Sequence, residues 1–321
     1  MWIVTGAAGF IGSALIWELN QNGFDQIIAT DFFKNDLRWK NLSKRKVIDW
    51  IRREDLFAFL EKFKPEIDGL FHIGACSSTT ETDLDYLLRN NYEDSKNLYN
   101  WCLHFNKRFI YASSCATYGD GSRGFSDQTS SHQLYPMNAY GLSKVLFDRW
   151  VENQSQKPPQ SVGLKFSNVY GPNEYHKGEQ SSVIYKAFHQ VSSTETIRLF
   201  KSHRPDYRDG EQKRDFIYIK DVTRWIYEIW QRPDISGLFN MGFGEANTWT
   251  SVADEIFLSM GLPPKIQWID IPEAIREQYQ YFTEARMDSL REYGISLPLW
   301  DLKLGIEDYI KNYLRQKDPY L

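Results

Sequence analysis

The sequence predicts an α/β fold, a doubly wound parallel sheet flanked by helices, with a smaller C-terminal α/β region. Three observations carry that expectation. A short apolar run at residues 2–5 leads into the glycine-spaced segment Thr5-Gly6-Ala7-Ala8-Gly9-Phe10-Ile11-Gly12 and then into a helical repeat. Strand-like runs and helical repeats then alternate as far as about residue 167. Beyond Asn168 the rhythm loosens into shorter segments punctuated by glycine, proline and charge. Alternation of this kind builds a parallel sheet covered on both faces.

The elements follow in order. Trp2-Ile-Val-Thr5 is apolar enough for a buried parallel strand. Ile11, Leu15, Ile16 and Leu19 recur at helical spacing, and Gln26 to Thr30 reads as a second strand ending at Asp31. Strands at Gly69–Ile73, Arg108–Ala112 and Ser161–Phe166 alternate with helices from about Leu84 to Phe105 and from about Ala139 to Asn153. In the second half, Gly171-Pro172, the charged stretch from Arg204 to Asp215, and Pro263-Pro264 interrupt the pattern. Phe216–Ile219 and Gly237–Met241 read as strands within it. The expected layout is a first domain at 1–167, with 214–240 returning to it, and a second domain made of 168–213 and 241–321.

Size and composition bound the function. A chain of 321 residues can bury one large core or two in contact. With 42% hydrophobic and 25% charged residues it has an ordinary globular composition. A net charge of −4 gives no reason to expect a nucleic-acid or anionic-membrane partner. The aromatic residues read as packing, because no basic stripe interleaves with them. Cys76, Cys102 and Cys115 are odd in number and lack metal-type spacing, so neither a disulfide framework nor a metal site is expected. No apolar run approaches the roughly 18 to 20 residues that span a bilayer. The first residues read directly as a strand, so no signal peptide is expected, and a cytoplasmic location follows.

Gly6, Gly9 and Gly12 stand between a strand and a helix. The first two let the backbone turn and approach a pyrophosphate, the third lets helix and strand pack closely, and the helix N-terminus supplies N–H donors. A dinucleotide is therefore the expected cofactor. Asp31, at the end of the second strand, suits ribose hydroxyls and so NAD. Arg38 and Arg53 suit a 2′-phosphate and so NADP, although on spacing alone both read equally as solvated surface. Asp49 reads either as an acceptor for an adenine amino group or as an ordinary loop aspartate. Tyr140-Gly-Leu-Ser-Lys144 puts a phenol and an ammonium on one helical face. A phenol titrates near about 10, and a neighbouring lysine and a positive nicotinamide ring would lower that value. Ser114, in Ala112-Ser-Ser-Cys-Ala-Thr-Tyr-Gly119, is placed to hydrogen-bond a reacting oxygen.

The glycine segment, the Ser114 segment and Tyr140/Lys144 together resemble the extended short-chain dehydrogenase/reductase (NAD-dependent epimerase/dehydratase) family, whose members act on nucleotide-activated sugars. The resemblance spans nearly the whole chain and implies a Rossmann-type sheet with a C-terminal substrate domain. Gly74-Ala-Cys-Ser-Ser-Thr-Thr-Glu81, Asn90-Asn-Tyr92, Phe166-Ser-Asn-Val-Tyr-Gly-Pro172, His176-Lys-Gly178, Lys213-Arg-Asp-Phe216 and Tyr279-Gln-x-Phe-Thr283 resemble the branch acting on ADP-linked heptoses.

That branch implies epimerisation at C6 through transient oxidation by tightly bound NADP, with NAD as the alternative. It also implies lipopolysaccharide heptose supply and a homo-oligomer. Tyr140 and Lys177 would be two acid/base groups on opposite sides of the sugar carbon, supported by Ser114 and Lys144. Phe10, Ile11, Asp31, Phe32, Arg38, Arg53, Ile73, Gly74, Ala75, Cys76, Ser77, Asn90 and Val169 would line the cofactor, which Tyr140, Lys144 and Lys177 would also border. Asn168, Glu179, Lys186, Phe200, Lys201, Ser202, His203, Arg214 and Tyr279 would meet the ADP-sugar substrate. The chain departs from the family at Ile73, Glu179 and Lys186, where an acid, a small hydroxyl residue and a histidine are usual, and in a longer segment between Phe200 and Arg214. The competing readings are an epimerase or reductase of another nucleotide sugar, such as a UDP-hexose, and a non-catalytic NADP sensor. A dehydratase would need an Asp-Glu pair where Cys115-Ala116 stand. A sensor would need the glycine loop but not Tyr140.

Overall fold

The computed structural model describes residues 1–32, 36–276 and 279–321. Among these, the strands form three sheets. The first half contributes β1 (Trp2–Thr5), β2 (Ile27–Asp31), β3 (Asp49–Arg52), β4 (Gly69–His72), β5 (Arg108–Ser114) and β6 (Ser161–Phe166). The second half contributes β7 (Asn168–Tyr170), β8 (Ile197–Phe200), β9 (Lys213–Tyr218), β10 (Gly237–Met241), β11 (Ala246–Thr248) and β12 (Ile266–Ile269). The helices used below are α1 (Phe10–Gln21), α2 (Trp39–Leu42), α3 (Leu56–Lys62), α4 (Leu84–Leu87), α5 (Asp94–His104), α6 (Ala139–Glu152), α7 (Val183–Thr194), α8 (Ile219–Gln231) and α9 (Trp249–Met260).

The large sheet runs β10-β6-β5-β4-β1-β2-β3 and is parallel throughout. Its strands are apolar because helices cover both faces: every residue of β1, β2, β4 and β6 is buried. On one face α1 lays Phe10, Leu15, Ile16 and Leu19 against α8, which contributes Val222, Trp225, Ile226 and Ile229. Each such side chain adds about 1.5–3 kcal/mol by leaving water. Strand order reverses between β1 and β4, the switch point at whose carboxyl ends sheets of this kind bind their ligands in a crevice.

Of the segment expected to return to the first domain, β10 joins the large sheet and α8 packs against α1, whereas β9 is hydrogen-bonded into another sheet. It pairs with β7 and β11 in a three-stranded sheet. Asp215 fixes it there: the buried carboxylate accepts hydrogen bonds from the backbone N–H of Phe243 (2.7 Å), Gly244 (3.1 Å) and Ala285 (2.9 Å). β8 and β12 form a separate parallel pair.

The helix expected from Leu84 to Phe105 is broken at its centre. α4 and α5 are joined by a π-helical turn, Leu88–Glu93. Such a turn shifts the helical register locally, and here it leaves Asn91 1% exposed while Asn90 is half-buried.

Candidate active site

The crevice is built by glycines that tolerate no side chain. Gly6 has φ +65°, and a Cβ there would lie 2.5 Å from the Gly74 Cα. A Cβ on Gly12 would lie 2.2 Å from the Gly6 carbonyl oxygen. The turns after β1 and β4 therefore touch backbone to backbone. The Thr5 hydroxyl locks them, accepting from Gly74 N–H at 3.1 Å and bonding His72 Nδ1 at 2.8 Å. α1 starts at Gly9 with no side-chain cap and no acid in its first turn. Its N-terminal N–H groups and positive dipole end thus suit an anion. A dinucleotide pyrophosphate fits this cradle.

Asp31 closes the cradle at the end of β2. Its carboxylate accepts from Ala8 N–H (2.9 Å) and Phe32 N–H (2.7 Å), and Arg38 reaches it at 3.1 Å. Burial pushes the carboxyl above its usual range, against the pull of Arg38. Arg38 also pairs with Asp36 at 2.9 Å and donates to the Phe32 carbonyl at 2.6 Å. Arg53 is drawn elsewhere, to Asp94 at the start of α5, 2.7 Å away. Asp49 faces the wrong end of the sheet for an adenine contact. Register pairs Asp49 with Ile28 and Arg52 with Asp31, so Asp49 opens β3 instead of ending it. Its carboxylate accepts from its own neighbour, Trp50 N–H.

Ser114 ends β5 and caps the short helical turn that follows, accepting from Ala116 N–H at 3.1 Å. Asn138 caps α6 by accepting from Gly141 N–H at 2.8 Å, which orients its first two turns. Tyr140 and Lys144 then stand buried on one face. Burial pushes the Tyr140 phenol up to about 12, and a hydrogen bond from Ser114 only partly offsets it. The protein alone therefore raises the phenol where the sequence suggested a lowered value. Lys144 donates to the Ala112 carbonyl at 2.9 Å, and burial lowers it to about 8 while Asp148, one turn on, opposes the change.

Asp148 is itself buried, bonded to Ser113 (2.7 Å) and Tyr111 (3.2 Å) and 3.6 Å from the buried Lys165. Asn91 pins the loop after β4 to this helix, accepting from Cys76 N–H and donating to the Cys76 carbonyl, both at 2.9 Å, and to Ser143 at 3.0 Å. Ile73, Gly74, Ala75, Cys76 and Ser77 are carried on that loop. Asp148 and Asn91 were missed by sequence reasoning. The i+4 spacing from Lys144 marks the first, and the second stands within the Asn90-Asn-Tyr92 motif, where the resemblance gives a role to Asn90 alone.

A pH dependence of stability follows from Lys144. Its folded pKa of about 8 lies below its ordinary 10.5, so between these values the unfolded chain holds more protons and stability rises with pH. Relative to Lys144→Met, the unaltered protein should gain stability as pH rises from about 8 toward about 10.5. Denaturant unfolding of both proteins at pH 7, 8.5 and 10 checks the trend; a constant difference would contradict it.

Lys177 lies in the loop after β7, its Nζ 5.5 Å above the Phe10 ring at the start of α1. Burial lowers its pKa, while Glu174 opposes the change. The predicted substrate residues fall into two groups. Phe200, Tyr279 and Arg214 cluster: the Phe200 and Tyr279 ring centroids are 5.9 Å apart, and the guanidinium lies 5.4 Å above Tyr279. His203 and Ser202 join through Tyr281, whose hydroxyl bonds His203 Nδ1 at 2.8 Å and Ser202 Oγ at 3.4 Å. Tyr281 was not foreseen. Val169 and Asn168 lie on β7, where the Asn168 amide donates to the Asp215 carbonyl at 2.9 Å. Lys201, by contrast, is exposed and pairs with Asp270, and Lys186 pairs with the exposed Glu179.

The fold is that of a Rossmann-type dinucleotide-binding enzyme, and the chain belongs to the NAD dependent epimerase/dehydratase family, whose model matches residues 2–242. It is 45% identical over 324 residues, the whole of both chains, to ADP-L-glycero-D-manno-heptose-6-epimerase of Nitratidesulfovibrio vulgaris strain DP4. The enzyme of that name from Fusobacterium nucleatum is 40% identical over 332 residues, again the whole of both chains. The crystal structure of the Helicobacter pylori ADP-L-glycero-D-manno-heptose-6-epimerase superposes with a TM-score of 0.79 at 27% identity, covering 97% of this chain and 95% of that one. None of the described helices is long and apolar enough to cross a membrane.

Proposed function

We propose that the protein inverts C6 of an ADP-linked heptose, converting the D-glycero-D-manno into the L-glycero-D-manno epimer with NADP as a returning cofactor. The observation that carries this reading is a pair of candidate proton carriers on separate elements, Tyr140 buried and Lys177 half-buried. Tyr140 stands on α6 with Lys144, facing Ser114 at the end of β5, and Lys177 stands on a separate loop against the first turn of α1. Two carriers on different elements suit a reaction whose two epimers present their hydroxyls on opposite sides of one carbon.

The nicotinamide, when bound, supplies the hydride acceptor and donor that the side chains lack. One carrier takes the hydroxyl proton as the alcohol becomes a ketone, and after the ketone has turned its other face the second carrier returns a proton to the carbonyl oxygen. Ser114 meets the charge that develops on the oxygen. The ammonium of Lys144, held by the Ala112 carbonyl, favours the phenolate that burial disfavours. Desolvation of Lys177 lowers its pKa against the pull of Glu174, the direction that a proton-carrying lysine needs. Arg214 above Tyr279 is a cation suited to the diphosphate of the substrate. Supply of heptose for lipopolysaccharide, a cytoplasmic location and a homo-oligomer belong to the same reading, and the three free cysteines suit a reducing compartment.

NADP is favoured because Arg38 occupies Asp31, leaving a guanidinium where a free carboxylate would serve NAD. Incubation with ADP-D-glycero-D-manno-heptose should yield the L-glycero epimer without net consumption of NADP. Arg38→Ser should weaken NADP by about tenfold or more, the value of one charge-assisted contact, while sparing NAD. An unchanged NADP/NAD ratio in that variant would overturn the cofactor assignment.

A further inference from the structure

A buried cluster of amides behind the glycine segment has no part in the chemistry described so far. Asn41, on α2, is 1% exposed. Its side-chain N–H groups donate to the Ala8 carbonyl at 2.9 Å and the Asn173 carbonyl at 3.1 Å, with His176 Nδ1 3.3 Å away. The first acceptor belongs to the glycine segment, and the other two belong to the loop that carries Lys177. α2 itself begins immediately after Arg38, its N-cap residue.

Asn173 is equally fixed. It has φ +79°, is fully buried, donates to Ser13 of α1 at 3.0 Å and accepts from Leu321 N–H at 3.1 Å. From there the chain makes one turn, closed by Lys177 N–H donating to the Glu174 carbonyl at 3.0 Å. The fully buried Glu174 carboxylate holds the other side, accepting from Gly171 N–H at 3.2 Å and Ser182 Oγ at 2.8 Å.

We propose that Asn41 is a positioning residue for Lys177, holding its loop in register with the glycine segment and the Arg38 turn. The inference rests on the reading of Lys177 as a proton carrier. An asparagine is suited to the task because its two N–H donors join two backbone carbonyls that have no other way to meet. A misplacement of about 1 Å at a proton carrier can cost on the order of 100-fold in rate.

Asn41→Leu keeps the volume and removes both donors. Its kcat with ADP-heptose should fall about 10- to 100-fold, while KM and NADP affinity change less than about threefold. In a Lys177→Met background, the half-reaction carried by Tyr140, read as reduced nicotinamide in a single turnover, should not change further on adding Asn41→Leu. Loss of NADP affinity in step with kcat, or an equal slowing of the Tyr140 half-reaction, overturns the proposal. Full turnover in Lys177→Met overturns the reading beneath it, whatever Asn41→Leu does. Should Asn41→Leu not fold, Asn41→Ser retains one donor and should show a smaller loss confined to kcat; an unchanged kcat there overturns the proposal.

Discussion

Tyr140→Phe and Lys177→Met should each reduce epimerisation by about 10²- to 10⁴-fold in kcat, the usual contribution of a positioned acid or base. Neither side chain builds the glycine cradle, so NADP affinity should hold within about tenfold, the value of one lost contact. The two variants should fail differently. Each retains one carrier, so each should oxidise one epimer in a single turnover and leave the other untouched. Steady-state epimerisation measured beside single-turnover reduction of the nicotinamide, starting from each pure epimer, checks this. Full activity in either variant would remove that residue from the mechanism.

Gly6→Ala should produce the largest loss of cofactor binding. Its φ of +65° disfavours any side chain, and the new Cβ would meet the Gly74 Cα at 2.5 Å and Gly74 N at 2.7 Å. Left-handed backbone at a non-glycine residue costs about 1–3 kcal/mol before the collision is counted. The clash is with backbone, so it is relieved only by separating the turns after β1 and β4. Thr5, His72 and Gly74 would lose their shared hydrogen bonds in that movement. A fall in melting temperature together with at least about 100-fold weaker NADP binding is expected, since each 1.4 kcal/mol is tenfold. Calorimetry and fluorescence titration report the two effects. Wild-type affinity would show that the crevice tolerates the side chain.

The contrast between local and distant signals explains what was legible in the sequence. The glycine spacing, the strands of the large sheet and the Tyr140/Lys144 face depend on neighbours in the chain, and periodicity reveals them. Asp49 and Arg53 depend on the register of β3, which no local pattern sets. One residue faces the far end of the sheet and the other is drawn to Asp94. The π-turn at Leu88–Glu93 places Asn91 in the interior beside its half-buried neighbour Asn90, a change of one residue that a helical repeat conceals. β9 reads as a strand from its residues, but its sheet is decided by pairing with β7 and β11 far along the chain. Asn41, Asp148 and Tyr281 act through partners at long separation or through burial, so their residue types alone carry no sign of their roles. The phenol of Tyr140 shows the same limit in electrostatics. Proximity of Lys144 was legible, whereas the desolvation that outweighs it depends on the folded interior.

Transient oxidation at one carbon is tested most directly by an isotope. ADP-D-glycero-D-manno-heptose carrying deuterium at C6 is converted in ordinary water, and the L-glycero product is examined by NMR and mass spectrometry. The expected result is complete retention of deuterium at C6 in the inverted product, because the same hydrogen leaves and returns without meeting solvent. Washout of the label would indicate removal of that hydrogen as a proton, and an absence of the L-glycero product would remove the heptose from consideration as substrate.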